Sequence, residues 1–265
     1  MGRSFTFTHA ITRRPAESAV GGLRAVDVGA PSIDLFRAHH DDYVAALKST
    51  GADVIELPAL EAFPDSCFIE DAALCLPEGA ILTRPGAPSR LGEAAEMGPP
   101  LRALYDDVRA IEGPGFIEAG DVLTTEREIL VGLSARTDEA GVAELTEKVA
   151  DWGWTVRMVQ TPPGVLHFKT DCSLLDAATI LATERLARSG CFEGYDVIHV
   201  AEGEEASANA IRFNGIVLFA AGFPKTAAKL REAGYDVREI GNSEAAKLDG
   251  GMSCLSLRFT PARAS

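Results

Sequence analysis

Residues 194–201 read GYDVIHVA and residues 234–241 read GYDVREIG, two copies of one short strand pattern. Looser copies of the pattern are GADVIELP (51–58), DDVRAIEG (106–113) and GWTVRMVQ (153–160). Successive copies lie 40 to 54 residues apart, and recurrence at such a spacing is typical of repeat architectures. The chain is therefore expected to consist of five related units, each of which contains this strand.

A helix is predicted before most of these strands. Apolar periodicity predicts helices over residues 32–50, 138–152 and 225–233, with a weaker fourth segment near 183–193. Gly51, Gly153 and Gly234 follow the first three segments, and glycine at this position commonly ends a helix. Each unit thus alternates a helix with strands, which is the pattern of an α/β fold.

Apolar, β-branched runs with turn residues at their centre follow the short strands and predict β-hairpins. Pro-Glu-Gly at 77–79 supplies one such turn, and Asn-Gly at 214–215 is the strongest short hairpin signal. The fifth unit has only one strand, in GGMSCLSLRF (250–259), and FTFTHAIT (5–12) is predicted to be its missing partner. Five units closed end to end predict a five-bladed, pseudo-symmetric α/β propeller of ββαβ-type repeats around a central site. An open α/β sheet remains the alternative.

The composition indicates a globular protein with an acidic surface. The 265 residues are 46% hydrophobic and 24% charged, with a formal net charge of −14 and a pI near 4.8. No linker rich in proline or serine divides the chain, so residues 1–265 are expected to form a single α/β-propeller domain. The acidic surface disfavours nucleic-acid and membrane partners and favours a small cationic substrate. A homodimer stays open.

Cysteine and histidine usage argues against metal and disulfide sites. Five cysteines are an odd number without a CxxC pair, which predicts neither a disulfide framework nor a zinc knuckle. No convincing set of metal ligands or glycine-rich nucleotide loop occurs, so no metal and no cofactor are expected. His39 and His40 lie in the first predicted helix and are expected near its surface. The N-terminal segment lacks an apolar run of signal-peptide length, and a cytoplasmic location is expected.

The first residues of the hairpin strands are expected to converge near the axis of the ring. Polar side chains recur at these positions within otherwise apolar segments, and such placements need a reason. They are Asp65, Glu70, Asp71, Glu118, Asp121, His167, Lys169, Asp171, Asn209 and Cys254. A chemical site on the axis would supply that reason.

Cys254, His167 and Glu118 combine a nucleophile, a proton shuttle and an acid that orients the shuttle. Each also has an ordinary structural interpretation, because a lone cysteine is more often an inert core thiol. The Asp-Gly-Gly run at 249–251 permits a tight turn and close ligand approach just before Cys254, which favours the catalytic interpretation.

These stretches resemble the dimethylarginine dimethylaminohydrolases of the guanidine-modifying, or pentein, superfamily. The similarity runs from about Thr8 to Phe259, and its most specific parts are PDSCFIED (64–71), TRPGAPSR (83–90) and VGLSART (131–137). Weaker matches are Leu166-His167 and the Asp249-Gly250 pair five residues before Cys254. The resemblance implies a five-bladed pentein propeller over nearly the full chain.

The resemblance also implies residue roles. Cys254 matches the family nucleophile and His167 the general acid and base, with Glu118 as the orienting acid. Matches to substrate-binding positions are Leu23, Asp65, Glu70, Asp71, Arg90, Arg136 and Leu248. Of these, Arg90 and Arg136 match a pair that grips the substrate α-carboxylate, and Leu248 matches a backbone contact. The glycine-rich lid segment at 19–23 departs from the family pattern and leaves substrate preference open.

The implied activity is that of a dimethylargininase, which hydrolyses asymmetric dimethylarginine to citrulline and dimethylamine through a thiouronium on Cys254. The chemistry of the residues agrees, because carboxylates such as Asp71 would keep a guanidinium cationic, and that cation would favour the Cys254 thiolate. An arginine deiminase-type hydrolase of another guanidine remains open, since one methyl group is worth only about 1–3 kcal/mol of discrimination. A non-catalytic binding propeller is the other alternative.

Overall fold

Five small three-stranded sheets make up the fold in the computed structural model, which describes residues 3–262. In each sheet the middle strand runs antiparallel to one neighbour and parallel to the other. Four sheets use consecutive strands: β3 (Ala73–Cys75), β4 (Ala80–Leu82) and β5 (Val108–Ala110); β6 (Val122–Thr124), β7 (Ile129–Leu133) and β8 (Val156–Gln160); β9 (Cys172–Leu174), β10 (Thr179–Ala182) and β11 (Asp196–His199); β12 (Ile211–Phe213), β13 (Ile216–Ala220) and β14 (Asp236–Ile240). The five predicted short strands are the third strands of the sheets.

The fifth sheet joins the two ends of the described chain. It contains β1 (His9–Arg13), β2 (Asp53–Leu57) and β15 (Leu257–Phe259), with β1 in the middle. β1 pairs antiparallel with β15 in the register His9 to Phe259 and parallel with β2. The predicted closure of the ring is therefore confirmed, and with it the five-bladed α/β propeller.

Helices connect the middle strand of each sheet to its parallel third strand. They are α1 (Ile33–Lys48), α2 (Glu93–Glu96), α3 (Gly98–Arg102), α4 (Glu139–Ala150), α5 (Glu184–Ala187) and α6 (Pro224–Glu232), with α7 (Ser243–Ala246) after β14. Ser32 and Asp138 cap α1 and α4 through their side-chain oxygens, and Gly51 beyond α1 has a φ of 85° that few other residues tolerate. The weak fourth helix is only the single turn α5. None of the helices in the described part of the chain has the length and hydropathy that a membrane crossing requires.

A short 3-10 turn leads into the first strand of every sheet. These five inner turns are Ile69–Ala72, Ala119–Asp121, Phe168–Thr170, Glu205–Ala208 and Ser253–Leu255. Neighbouring inner turns contact one another. Because each is held by the sheet behind it, side chains from different sheets meet at fixed positions, as the sequence pattern predicted.

His40 is buried, contrary to the expectation that it lies near the surface of the first helix. It is 1% exposed and belongs to the buried stripe of α1 that includes Phe36, Tyr43 and Val44. Position 40 follows Phe36 by four residues and precedes Val44 by four, so the helical period itself places it on the core face. Within residues 3–262 neither ring nitrogen has a hydrogen-bond partner.

We expect His40 to make the fold sensitive to mild acid. Burial lowers the pKa of His40 from 6.5 to about 4, although Asp41 and Glu56 act in the opposite direction. In this pH range His40 binds a proton in the unfolded chain but stays neutral in the native state. The free energy of unfolding therefore falls as the pH drops from 6.5 towards 4. The loss is about 2 kcal/mol at pH 5. Urea unfolding at pH 7 and pH 5 should show a smaller difference for His40→Leu than for the wild type. An equal difference in both proteins would contradict the prediction, and His199→Gln, at an exposed histidine, is the control.

Candidate active site

A cavity of about 150 Å³ opens where four of the inner turns meet. Nine of the ten predicted site residues line it: Leu23, Asp65, Asp71, Arg90, Glu118, Arg136, His167, Leu248 and Cys254. They come from all parts of the chain between residues 23 and 254, and only closure of the ring brings them together. The tenth predicted residue, Glu70, is not part of the cavity lining.

The Cys254 sulfur lies on the inner turn of the closing sheet and accepts two hydrogen bonds. Gly251 N–H lies 3.4 Å from Sγ, and Asn209 Nδ2 lies 3.8 Å from it. Burial, followed by the negative charges of Glu70 and Asp71, nevertheless raises the pKa of the Cys254 thiol to about 12. At neutral pH the free protein therefore holds Cys254 as a thiol, and a positive charge in the cavity would favour its ionisation.

His167 and Glu118 form a close pair on the cavity wall. His167 Nε2 lies 2.6 Å from Glu118 Oε2, and the Glu118 side chain is almost fully buried. Gly86 and Ala87 donate their backbone N–H groups to Glu118 Oε1, so the specific run at 83–90 fixes the orientation of this carboxylate. The other ring nitrogen of His167 remains available to carry a proton.

The charge on His167 is set by three carboxylates. Burial opposes protonation, but Asp71, Asp121 and Glu118 outweigh it and raise the pKa of His167 to about 9. The imidazole is therefore protonated at neutral pH. A protonated histidine beside a neutral thiol is ready to act first as an acid.

Asp71 is packed tightly between two other parts of the site. Its Oδ1 accepts the N–H of Gly120, and its Oδ2 accepts Arg90 Nη1 at 2.6 Å. A Cβ on residue 120 would lie 2.5 Å from Asp71 Oδ1 and 3.0 Å from the His167 ring, so only glycine allows this approach. Although burial opposes it, the charges of His167 and Arg90 keep the pKa of Asp71 below its usual range. Asp71 thus presents a carboxylate to the cavity.

The two predicted carboxylate-binding arginines differ in their environments. Arg90 is buried and donates to Asp71, Glu93 and the carbonyl of Phe68, which leaves an Nη1 hydrogen for a ligand. Arg136 is 23% exposed, and its Nη1 lies 3.6 Å from Glu118 Oε1. Arg136 is therefore the better placed of the two to bind an anionic group, whereas Arg90 mainly holds Asp71.

The segment around Leu23 covers one side of the cavity. Leu23 N–H donates to Asp65 Oδ1 at 2.9 Å, and Ala25 N–H donates to Asp249 Oδ2 at 2.6 Å. Burial raises the pKa of the Asp65 carboxyl, although Arg90 and the Leu23 N–H act against it. Leu248 is buried beside this segment, since a Cβ on Gly22 would lie 3.3 Å from Leu248 Cδ1. Two acidic side chains thus tether the glycine-rich segment in place.

Glu70, which was also predicted to bind substrate, does not line this cavity. Its carboxylate pairs with Lys169 and Arg258, each at 2.6 Å, and accepts a hydrogen bond from Ser253 Oγ. These groups lie around a second cavity of about 100 Å³. Glu70 and Asp71 are adjacent on one inner turn, and the turn directs Asp71 to the first cavity and Glu70 to the second.

Asp121 supports the site from behind. Its Oδ2 accepts the hydroxyls of Ser134 and Thr137, and its Oδ1 accepts the N–H of Phe168, the residue after His167. Sequence analysis placed Asp121 among the converging polar residues but gave it no role. Its hydrogen bonds show that it fixes the backbone that carries His167.

One group among the described residues has the geometry to hold a metal ion, namely Asp71, Glu118 and His167, whose ligand atoms lie within 4.8 Å of one another. Asp71 is already bonded to Arg90, and Glu118 is bonded to His167 and two backbone amides. His167 is protonated near neutral pH and would have to lose that proton to bind a metal. These contacts fit an acid–base site better than a metal centre.

The chain is similar to proteins of known activity over nearly its full length. No protein-family model matches it. The N(G),N(G)-dimethylarginine dimethylaminohydrolase of Pseudomonas aeruginosa is 38% identical over 254 residues, which covers 96% of this chain and 100% of the relative.

Solved structures show the same fold. A P. aeruginosa DDAH in which a cysteine is replaced by serine, complexed with citrulline, superposes with a TM-score of 0.93 at 38% identity and covers 96% of this chain and 100% of its own. A dimethylarginine dimethylaminohydrolase with a histidine replaced by glycine, as an adduct with S-methyl-L-thiocitrulline, has a TM-score of 0.93 at 37% identity with the same coverage.

Proposed function

Since the chain belongs to the dimethylarginine dimethylaminohydrolase family, we propose that it hydrolyses asymmetric dimethylarginine to citrulline and dimethylamine. The observation that carries the proposal is the single cavity that contains the Cys254 thiol, the His167–Glu118 pair and the Asp71 carboxylate. Two replaced residues in the related structures, a cysteine and a histidine, are separated by the same interval as Cys254 and His167. This agreement supports the assignment of both residues.

In the first step a guanidinium binds beside Asp71, which keeps it cationic and its central carbon electron-poor. The positive charge lowers the pKa of Cys254, whose proton leaves to water. The thiolate attacks the central carbon and forms a C–S bond. Protonated His167 gives its proton to the dimethylamino nitrogen as the C–N bond breaks, and dimethylamine leaves. A thiouronium on Cys254 remains.

In the second step neutral His167 removes a proton from a water molecule, and the resulting hydroxide adds to the thiouronium carbon. The C–S bond then breaks with its electron pair returning to sulfur, and the hydroxyl proton leaves to solvent. The products are citrulline and a free Cys254 thiolate. Glu118 stabilises the imidazolium whenever His167 carries the proton, and its two backbone hydrogen bonds prevent it from turning away.

The groups around the amino-acid end of the substrate explain a preference for a free amino acid. Arg136 carries a guanidinium that can bind the α-carboxylate bidentately, with one further N–H from Arg90. Asp65 also lines the cavity, and in this proposal it accepts the α-amino group. Agmatine, which lacks the carboxylate, is therefore expected to be a poor substrate.

The experiment that tests the function compares citrulline release from asymmetric dimethylarginine with release from arginine, and urea-type product release from agmatine. Turnover of the methylated substrate supports the proposal. Turnover of arginine alone would keep the mechanism and replace the substrate. Failure of a folded protein to act on any of the three would refute a dimethylargininase.

Arg136→Gln is expected to raise KM for asymmetric dimethylarginine by 10- to 100-fold while kcat changes by less than about threefold, because the lost charge-assisted hydrogen bonds are worth roughly 1.5–3 kcal/mol in bound substrate and transition state alike. The rate with agmatine should not change, because agmatine has no carboxylate to bind. Steady-state kinetics with both substrates measure the effect. An equal loss with the two substrates would contradict the assignment. Arg188→Gln, on the surface after α5, is the control.

We also propose that the five sheets work as one cytoplasmic domain. All five cysteines are free thiols, the usage typical of a reducing compartment, and the catalytic thiol needs such an environment. A homodimer remains part of this proposal, to be checked by sedimentation. Exclusion of nucleic acid and membrane surfaces follows from the net charge of −14.

A further inference from the structure

Cys254 lies in surroundings that oppose its ionisation. Burial and the nearby carboxylates Glu70 and Asp71 raise its pKa, and Lys169, a cation that acts against this shift, is already paired with Glu70. A nucleophilic thiolate in such a place needs hydrogen-bond donors at the sulfur itself. Two donors are within reach, the Gly251 N–H and the side-chain amide of Asn209.

The Asn209 amide can present only its NH₂ group to the sulfur. Its Oδ1 accepts the backbone N–H of Ser253 at 2.8 Å, which requires oxygen on that side and places Nδ2 on the other, 3.8 Å from Cys254 Sγ. Asn209 is 7% exposed and follows the inner turn Glu205–Ala208. Its side chain therefore links the fourth sheet to the inner turn that carries the nucleophile.

Gly251 holds this amide in position. A Cβ on residue 251 would lie between 2.3 and 2.6 Å from three atoms of the Asn209 amide, so the backbone is in direct contact with it. The same glycine supplies the second N–H to the sulfur at 3.4 Å. The two donors thus form one rigid unit that exists before any substrate binds.

We propose that Asn209 is a catalytic residue that stabilises negative charge on Cys254 Sγ by donating a hydrogen bond from Nδ2. A neutral donor suits this position, because a lysine or arginine there would repel the cationic substrate that must come to rest against the sulfur. The bond acts in both chemical steps. It supports the thiolate before attack, and it supports the sulfur again when the C–S bond breaks. This inference deepens the proposed function and rests on it only for the identity of the substrate.

Alkylation of Cys254 by iodoacetamide, followed across pH without substrate and read at Cys254 by peptide mass spectrometry, tests the inference. Asn209→Ala should shift the pH profile upward and slow alkylation at pH 8 roughly tenfold, the effect of one lost hydrogen bond of about 1.4 kcal/mol. Asn209→Asp keeps the oxygen that accepts from Ser253 and replaces the donor by an acceptor, so it should slow alkylation further. Turnover should fall mainly in kcat.

The matched control is Asn242→Ala. Asn242 Nδ2 donates to the carbonyl of Gly250, so this variant loosens the same loop without removing a donor from the sulfur. It should leave the alkylation profile unchanged. If neither Asn209 variant shifts the profile, or if Asn242→Ala shifts it equally, the inference is overturned. Because alkylation needs no substrate, a shifted profile in a protein that fails to turn over dimethylarginine would reject the proposed function and keep the role of Asn209.

Discussion

Replacing Cys254 with alanine is expected to lower citrulline release by at least about 10⁴-fold, to the limit of detection. The variant can bind the guanidinium but has no atom to form the C–S bond, and removing a covalent nucleophile has effects of this size in other hydrolases. Citrulline formation under saturating dimethylarginine measures the loss. Binding of the substrate should survive, since the carboxylates and Arg136 that hold it are unchanged.

The control for this change is Cys191→Ala, because Cys191 is a buried thiol between α5 and β11 and does not line the cavity. Its activity per folded molecule should match that of the wild type. A Cys254→Ala protein that keeps more than a few per cent of activity would exclude the thiouronium mechanism.

Replacing His167 with glycine is expected to separate the two chemical steps. With asymmetric dimethylarginine the variant should lose at least about 10³-fold in kcat, since no group protonates the departing amine. With S-methyl-L-thiocitrulline the leaving methanethiolate needs little help from an acid, so Cys254 should still be modified. Hydrolysis of the thiouronium should then stop, because no base activates water. The related histidine-to-glycine protein has been crystallised as an adduct with this compound.

Intact-protein mass spectrometry after mixing with S-methyl-L-thiocitrulline measures the trapped species. The wild type should show little adduct at steady state, and the His167→Gly variant should become stoichiometrically labelled. The double variant His167→Gly, Cys254→Ser should stay unlabelled. Rapid hydrolysis by the single variant would show that another residue serves as the base.

The ring could be predicted from the sequence because its repeats carry local signals. Five short strands of one pattern, four of them with Asp-Val, recur at similar intervals, and Asn-Gly at 214–215 marks one hairpin. One unit lacked a strand, which residues 5–12 were predicted to supply. The register of β1 with β15 confirms that pairing. Pattern alone left an open sheet as the alternative, because strand periodicity does not specify which sheets are neighbours.

The side of the ring on which a polar residue lies could not be predicted. Glu70 and Asp71 are adjacent in one motif, yet the 3-10 turn sends Asp71 to the catalytic cavity and Glu70 to Lys169 and Arg258. The role of Asn209 was equally hidden, since it depends on a backbone contact with Ser253, 44 residues away in sequence. His40, in contrast, was within reach of the sequence, because its spacing from Phe36 and Val44 follows the helical period.

The pairing of β1 with β15 also sets the order in which the protein becomes reactive during folding. The donors to Cys254 are 3 and 45 residues away in sequence, but the cavity lining runs from Leu23 to Cys254. It is complete only when chain segments more than two hundred residues apart have met, and contacts of such separation form late because long loops are slow to close. Folding intermediates would then carry Cys254 without a complete substrate-binding cavity. Local opening of the closing sheet would likewise abolish activity before the other sheets unfold. Loss of catalysis would therefore report on the pairing of β1 with β15.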